Sequence, residues 1–142
     1  MRWPRVVQAW WRHAFGPKTL GQRGEAAAAQ YLKRLGYKIV GRGTHIGRGE
    51  LDIIAIDGRR VVFVEVKTRD SSVAGEPHEA VDRNKQERLT RLALVYLKRY
   101  GLLDYPARFD VVSIIWPSQA RRPTIEHIKN AFEATGRGQM FS

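Results

Sequence analysis

The sequence predicts a single α/β domain in which one helix precedes three strands, a second helix and one or two further strands. Three observations carry this expectation. Thr19-Leu20-Gly21-Gln22 has the T-x-x-Q form of a capping box, and Gly36 stands where a helix C-terminal glycine belongs. Residues 50–67 alternate on either side of Asp57-Gly58 as the two arms of a β-hairpin do. Residues 79–100 keep helical spacing until Gly101.

In chain order, Trp3, Val6, Val7, Trp10 and Ala14 recur at helical spacing among Arg2, Arg5 and Arg12, and Gly16-Pro17 ends the pattern. The preferred reading of residues 1–17 is a basic aromatic extension that folds back or stays loose. The competing reading is a membrane-surface or partner-docking helix. The helix from Thr19 to Leu35 buries Ala28, Tyr31, Leu32 and Leu35, and Glu25, seven residues before Leu32, falls on that same stripe. A carboxylate facing inward needs a partner, because an unpaired buried charge is costly.

Tyr37–Val40 reads as a short strand and residues 42–49 as a Gly/Arg loop with His45. Strands follow over 50–56 and 61–67, then a polar loop over 71–78. The helix over 79–100 buries Leu89, Ala93, Tyr96, Leu97 and Tyr100. An apolar strand spans 108–116, a last strand 124–128, and a turn of helix 129–132. The expected organisation is an extension over 1–17, the domain over 18–133 and a loose tail over 134–142.

The 142 residues suit one domain, and the 43% apolar content suffices for one core. The chain has no cysteine, which excludes disulfides, thiolate zinc sites and a Cys nucleophile and suits a cytoplasmic protein. No apolar run approaches a membrane span, and residues 1–12 lack the pattern of a secretory signal. The net charge is +11, and residues 1–50 alone hold ten Lys/Arg against Glu25 and Glu50. Such an excess attracts polyanions, nucleic acid first.

The chemistry concentrates in the hairpin. Glu50, Asp52, Ile54 and Ile56 share one face of the first arm, and Val61, Phe63, Glu65 and Lys67 one face of the second. A two-residue loop at 57–58 sets Asp52 opposite Phe63, with Glu65 diagonal to it. A four-residue loop at 57–60 sets Asp52 directly opposite Glu65. Both registers put Asp52, Glu65 and Lys67 on one face. Phe63, Ile54 and Ile56 mark that face as substantially buried, so the two carboxylates and the ammonium interrupt an apolar sheet. Such a break in local consistency is where function is expected.

Mg²⁺ prefers oxygen ligands, and Asp52, Glu65 and the main-chain carbonyl of Val66 offer three. A bound cation acidifies water and offsets charge on a phosphate. Lys67 then meets that water or a phosphate oxygen, as a base or as an electrostatic clamp. Read as structure alone, the same residues form ordinary cross-strand ion pairs.

These residues resemble a known pattern. Gly21-x-x-Gly24-Glu25, Gly49-Glu50-Leu51-Asp52-Ile53-Ile54-Ala55 and Phe63-Val64-Glu65-Val66-Lys67-Thr68-Arg69 are similar to motifs of the YraN family of bacterial proteins. Lys85-Gln86, Arg108-Phe109-Asp110 and residues 127–132 continue the likeness, which covers about Thr19 to Phe132. That family resembles the restriction-endonuclease-like, PD-(D/E)xK superfamily and the archaeal Holliday-junction resolvases. The resemblance implies an α-β-β-β-α-β core with a mixed central sheet flanked by helices. It implies a catalytic set of Glu25, Asp52, Glu65, Lys67 and Gln86, and a metal-dependent nuclease acting on DNA with Mg²⁺ or Mn²⁺. A non-catalytic nucleic-acid-binding protein of the same fold is the alternative.

Arg42, Arg48, Thr68 and Arg69 are candidate phosphate contacts. Arg42, Arg48 and His45 read equally well as loop charges. Glu50 reads as a surface residue before an auxiliary ligand. Asp110 reads as capping or pairing within its strand, outside the site. Concerted cutting of both strands needs two sites, which a homodimer would supply.

Overall fold

A computed structural model describes residues 18–71 and 81–135. The extension over 1–17, most of the polar loop, the expected helix start at Glu79 and the tail from 136 lie outside the described residues. Helix α1 spans Leu20–Arg34, followed by strands β1 (Lys38–Ile46), β2 (Gly49–Asp57) and β3 (Arg60–Arg69). Helix α2 spans Arg83–Arg99 and precedes β4 (Ala107–Ile115) and β5 (Thr124–Phe132). The five strands make one mixed sheet in the order β1-β2-β3-β4-β5, parallel only between β3 and β4. The expected α-β-β-β-α-β order is therefore present, with β5 added at the edge. No helix of the described residues is long and apolar enough to cross a membrane.

Both helices start where the sequence can satisfy their free N–H groups. The Thr19 side chain accepts from Gln22 N at 3.1 Å while Thr19 N donates to Gln22 Oε1 at 3.0 Å, an arrangement worth about 1 kcal/mol. Asp82 does the same for α2 by accepting from Lys85 N at 2.8 Å. Leu35 caps α1, and Gly36 follows with φ +95°.

The sheet is apolar on both faces. Ala28, Ala29 and Leu32 of α1 cover Ile53, Ala55, Val62, Val64, Val112 and Ile114. Leu89, Leu92, Ala93, Tyr96 and Leu97 of α2 cover Ile54, Val61, Phe63, Phe109 and Val111. Burying each large apolar side chain contributes about 1.5–3 kcal/mol. Leu35 and Tyr100, expected inside, are 49% and 57% exposed. Each caps its helix, where the chain turns away from the sheet.

Three strand expectations are corrected. Residues 42–46, read as a loop from their Gly and Arg content, continue β1 and pair with β2 as far as Ile46↔Gly49. Cross-strand hydrogen bonding overrides weak β-propensity there. Residues 129–132, read as helical, continue β5, with an irregularity opposite Asp110 that takes Asn130 to φ +51°. The hairpin turn is Gly58-Arg59, because Asp57 pairs with Arg60. Ile56 then pairs with Val61, as a four-residue loop would have it, but the ladder runs only to Ile53↔Val64, so Asp52 and Glu65 lie just beyond its last pair.

Candidate metal and phosphodiester site

The acids meet where β2 parts from β3. The ladder between these strands ends at Ile53↔Val64, leaving residues 49–52 unpaired with β3. Leu51 there packs with Ile54 on the α2 side, although alternation would put it beside Ile53. The Val66 N–H, with no β2 carbonyl to meet, donates to Asp52 Oδ2 at 2.9 Å. Val66 thus meets Asp52 through its N–H, apart from the role as a metal ligand expected of its carbonyl. The Asp52 and Glu65 carboxyls share a hydrogen bond.

Two local features bring Glu25 to the same place. A Cβ on Gly24 would lie 1.9 Å from Thr68 Oγ1, so only glycine lets α1 come this close to β3. A β-bulge between Ile39 and Gly41 then reverses the facing of β1. Ile39 packs on the α1 side, and the extra residue brings Arg42 to that side as well, where its Nε lies 3.6 Å from Glu25 Oε1.

Oxygens of Glu25, Glu50 and Asp52 all lie within 4.8 Å of one another. Gly43, at φ +53°, leaves room beside them, since a Cβ there would be 3.2 Å from Glu50 Oε1. Glu50 is exposed, as a surface residue is, and its carboxylate also lies beside those of Asp52 and Glu25.

The cations that offset these charges are unevenly shared. Lys85 in the first turn of α2 forms an ion pair with Glu65. Arg42 pairs with Glu25. His45 Nε2 lies 3.8 Å from Glu50 Oε2 and is cationic only when protonated. Asp52 has no cationic partner among the described residues. Its carboxyl is pushed up to about 7, first by burial, then by the Glu65 charge, with the shared hydrogen bond and Glu25 adding, against the Val66 N–H. Burial also raises the Glu25 carboxyl, helped by Glu50 and opposed by Arg42. An apolar wall of Leu51, Phe63, Leu89, Phe109 and Phe132 beside Asp52 and Glu65 accounts for the desolvation.

The remaining expected residues divide. Lys67, half-buried and two residues beyond Glu65, makes no ion pair among the described residues. Gln86 donates from Nε2 to Val81 O at 3.1 Å, so its amide holds the chain entering α2. Arg48 is exposed beside the β1–β2 turn. Thr68 packs against Gly24, and the Arg69 carbonyl accepts from Trp116 N at 2.8 Å. Asp110 pairs within its own strand as expected, with Arg108 Nε at 2.9 Å. Sequence reasoning assigned no role to Lys85. Its signal was Asp82, which as helix cap sets Lys85 in the first turn.

Mg²⁺ or Mn²⁺ would suit this donor set, since both take oxygen ligands and crowded carboxylates need a positive charge between them. Glu25, Glu50 and Asp52 are the residues that would hold it, with Glu65 reaching it through Asp52.

Comparison with known proteins places the chain. Residues 24–114 match the model of the uncharacterised protein family UPF0102. A UPF0102 protein of Rhodopirellula baltica is 46% identical over 138 residues, covering 92% of this chain and 83% of its own length. Relatives from Geotalea uraniireducens and Geobacter sulfurreducens are each 51% identical over 116 residues, covering 82% of this chain and 91% and 90% of theirs. Among solved structures, Pyrococcus furiosus SfsA in complex with Ca²⁺ aligns with a TM-score of 0.39 and 15% identity, over 75% of this chain and 63% of that one. That likeness is too distant to bear on the site. The extent and level of the sequence matches make this chain a member of the UPF0102, or YraN, family.

Proposed function

We propose that this protein is a metal-dependent nuclease that hydrolyses phosphodiester bonds in DNA, with branched or otherwise structured DNA as the substrate class to test first. One observation carries the reading. Glu25, Glu50 and Asp52 bring oxygens within 4.8 Å of one another on a chain of net charge +11, and Asp52 lacks any cationic partner among the described residues. A purely structural sheet has little reason to bear that repulsion.

A divalent cation bound there would acidify a water and offset charge on the phosphate. The chain's own groups would do the rest. Val66 N–H holds the Asp52 carboxyl at the parting of β2 and β3. Glu65 raises the Asp52 carboxyl through its charge and its hydrogen bond. Lys67, without an ion pair among the described residues, would meet a phosphate oxygen or the attacking water. Arg48, Thr68 and Arg69 are the candidate phosphate contacts, and Arg42 joins them if it leaves Glu25. Gln86 acts by positioning α2, and with it Lys85.

A second reading has its own support. Arg42 and Lys85 already neutralise Glu25 and Glu65 with protein cations, which suits a nucleic-acid-binding protein that does not turn over. A cleavage panel separates the two. Linear, flapped and four-way DNA are incubated with Mg²⁺ or Mn²⁺, with EDTA, and with Asp52→Asn. The nuclease reading expects cleavage that needs the metal and disappears in the variant. Cleavage surviving both EDTA and Asp52→Asn rejects the site. Salt-sensitive binding with intact DNA under every metal favours the second reading.

A further inference from the structure

We propose that the groove between α1 and the β4–β5 connection binds single-stranded DNA, through its phosphates and an unstacked base. The proposal rests on nucleic acid being the ligand class of the proposed function, but not on cleavage.

The groove encloses about 370 Å³, within the range of sites that hold a small ligand or part of a polymer. Ala27, Gln30, Tyr31 and Arg34 form one wall at successive turns of α1. Trp116, Arg121, Arg122, Pro123 and Ile125 form the other. Glu25 faces the opposite flank of the same helix, toward Arg42 of β1. The helix therefore divides an acidic flank from a basic one.

The groove's composition suits a polyanion that carries flat apolar groups. Arg34, Arg121 and Arg122 are exposed and make no ion pair among the described residues, and no carboxylate lines the walls. Unpaired guanidinium groups are free to fork onto phosphate oxygens. Tyr31 and Trp116 are half-buried against the core on the α1 side, and a base would stack on Trp116 in place of Arg23, whose guanidinium lies over that ring. Trp116 is held in place because its indole N–H donates to Ala120 O at 3.1 Å and Arg23 stacks 4.1 Å from its ring centroid.

The groove also leads to the acids. Trp116 N bonds the Arg69 carbonyl at the end of β3, four residues beyond Glu65, and Thr68 abuts Gly24. From Arg23 to Arg34 the helix runs about 16 Å. A single strand lying along it would emerge at the strand ends that carry Glu65 and Lys67.

Binding of a fluorescein-labelled oligo-dT to the full chain, measured by anisotropy in EDTA, tests this without any catalysis. Arg121→Ala/Arg122→Ala should weaken binding roughly tenfold and lower the salt slope by about one to two. The charge-matched pair Arg59→Ala/Arg60→Ala, on the exposed β2–β3 turn, should weaken it far less. In a chain carrying Trp3→Phe, Trp10→Phe and Trp11→Phe, which leaves Trp116 as its one tryptophan, oligo-dT should quench the emission.

Equal losses from the two arginine pairs would overturn the groove, as would emission that oligo-dT leaves unquenched in the single-tryptophan chain. Displacement of oligo-dT by polyglutamate of equal charge would overturn the nucleic-acid assignment. Asp52→Asn reports separately on the nuclease reading. If it abolishes cleavage while the arginine pair leaves binding intact, the groove fails and the nuclease stands. The opposite pattern fails the nuclease and keeps the groove.

Discussion

Asp52 and Asp110 are both withdrawn from water in the same sheet, yet their carboxyls move in opposite directions. Asp110 is fully buried on β4. It accepts from Arg108 Nε at 2.9 Å, from His127 Nε2 at 2.7 Å and from Asn130 N at 3.0 Å. Burial opposes its ionisation, but those donors outweigh burial and hold the carboxyl below its usual range. Arg108 goes on to Tyr37 Oη at 2.6 Å and Asp57 at 3.2 Å, and Tyr31 and Tyr37 set their rings edge-on against His127. Asp52 has one N–H donor and otherwise faces acids, and its carboxyl rises to about 7. The difference separates a polar network that completes itself from one that needs something the chain does not supply.

Removing Asp110 should cost the fold most. Asp110→Ala leaves Arg108 and His127 buried without their carboxylate, and urea unfolding should show a loss of about 3–5 kcal/mol. A loss no larger than that of a surface variant would make the network ornamental. Gly24→Ala acts on the other side. Its methyl would collide with Thr68 Oγ1 and Cγ2, so α1 must move and carry Glu25 away from the acids. The expected cost is up to about 3 kcal/mol, together with weaker Mn²⁺ binding by calorimetry. Thr68→Ala in the same chain should restore part of both.

Asp52→Asn sharpens the contrast through pH. Asp52 ionises near its ordinary value of 3.8 in the unfolded chain and only around 7 in the fold. Between those values the folded state holds the extra proton, so stability falls as pH rises through that window. In EDTA the variant should be more stable than the wild type at pH 8, by on the order of 2 kcal/mol, and should lose that advantage by pH 4. A variant less stable at pH 8 would show that the acids do not strain the fold. Asp110, lowered in the fold, behaves the other way, since its contribution is present above its ordinary value and lost as pH falls below it. Tyr37→Phe, the mildest change, removes only the Arg108 contact, at about 1 kcal/mol, and should leave metal binding unaltered.

Much of this was legible in the chain because the signals are local. Thr19 with Gln22 marks a helix start by side-chain reach alone, and alternation over 50–67 puts Asp52, Glu65 and Lys67 on a common ribbon. Glu25 stood out because it shares a stripe with Leu32. The extensions of β1 and β5 were not legible. Gly41, Gly43 and Gly47 resemble a loop until β2 supplies hydrogen-bond partners. Lys85 and Glu50 were underread for a related reason, since what each does depends on an element far away in sequence.

The sequence alone determined the order of the elements and the pair of strands that carries Asp52 and Glu65, because caps, turns and period-two alternation act over a few residues. The tertiary structure alone decided which acid goes without a cation. That outcome depends on where β2 leaves β3, on a bulge that brings Arg42 to Glu25, and on a helix that sets Lys85 against Glu65. Each is a distance between segments, and no local preference encodes it.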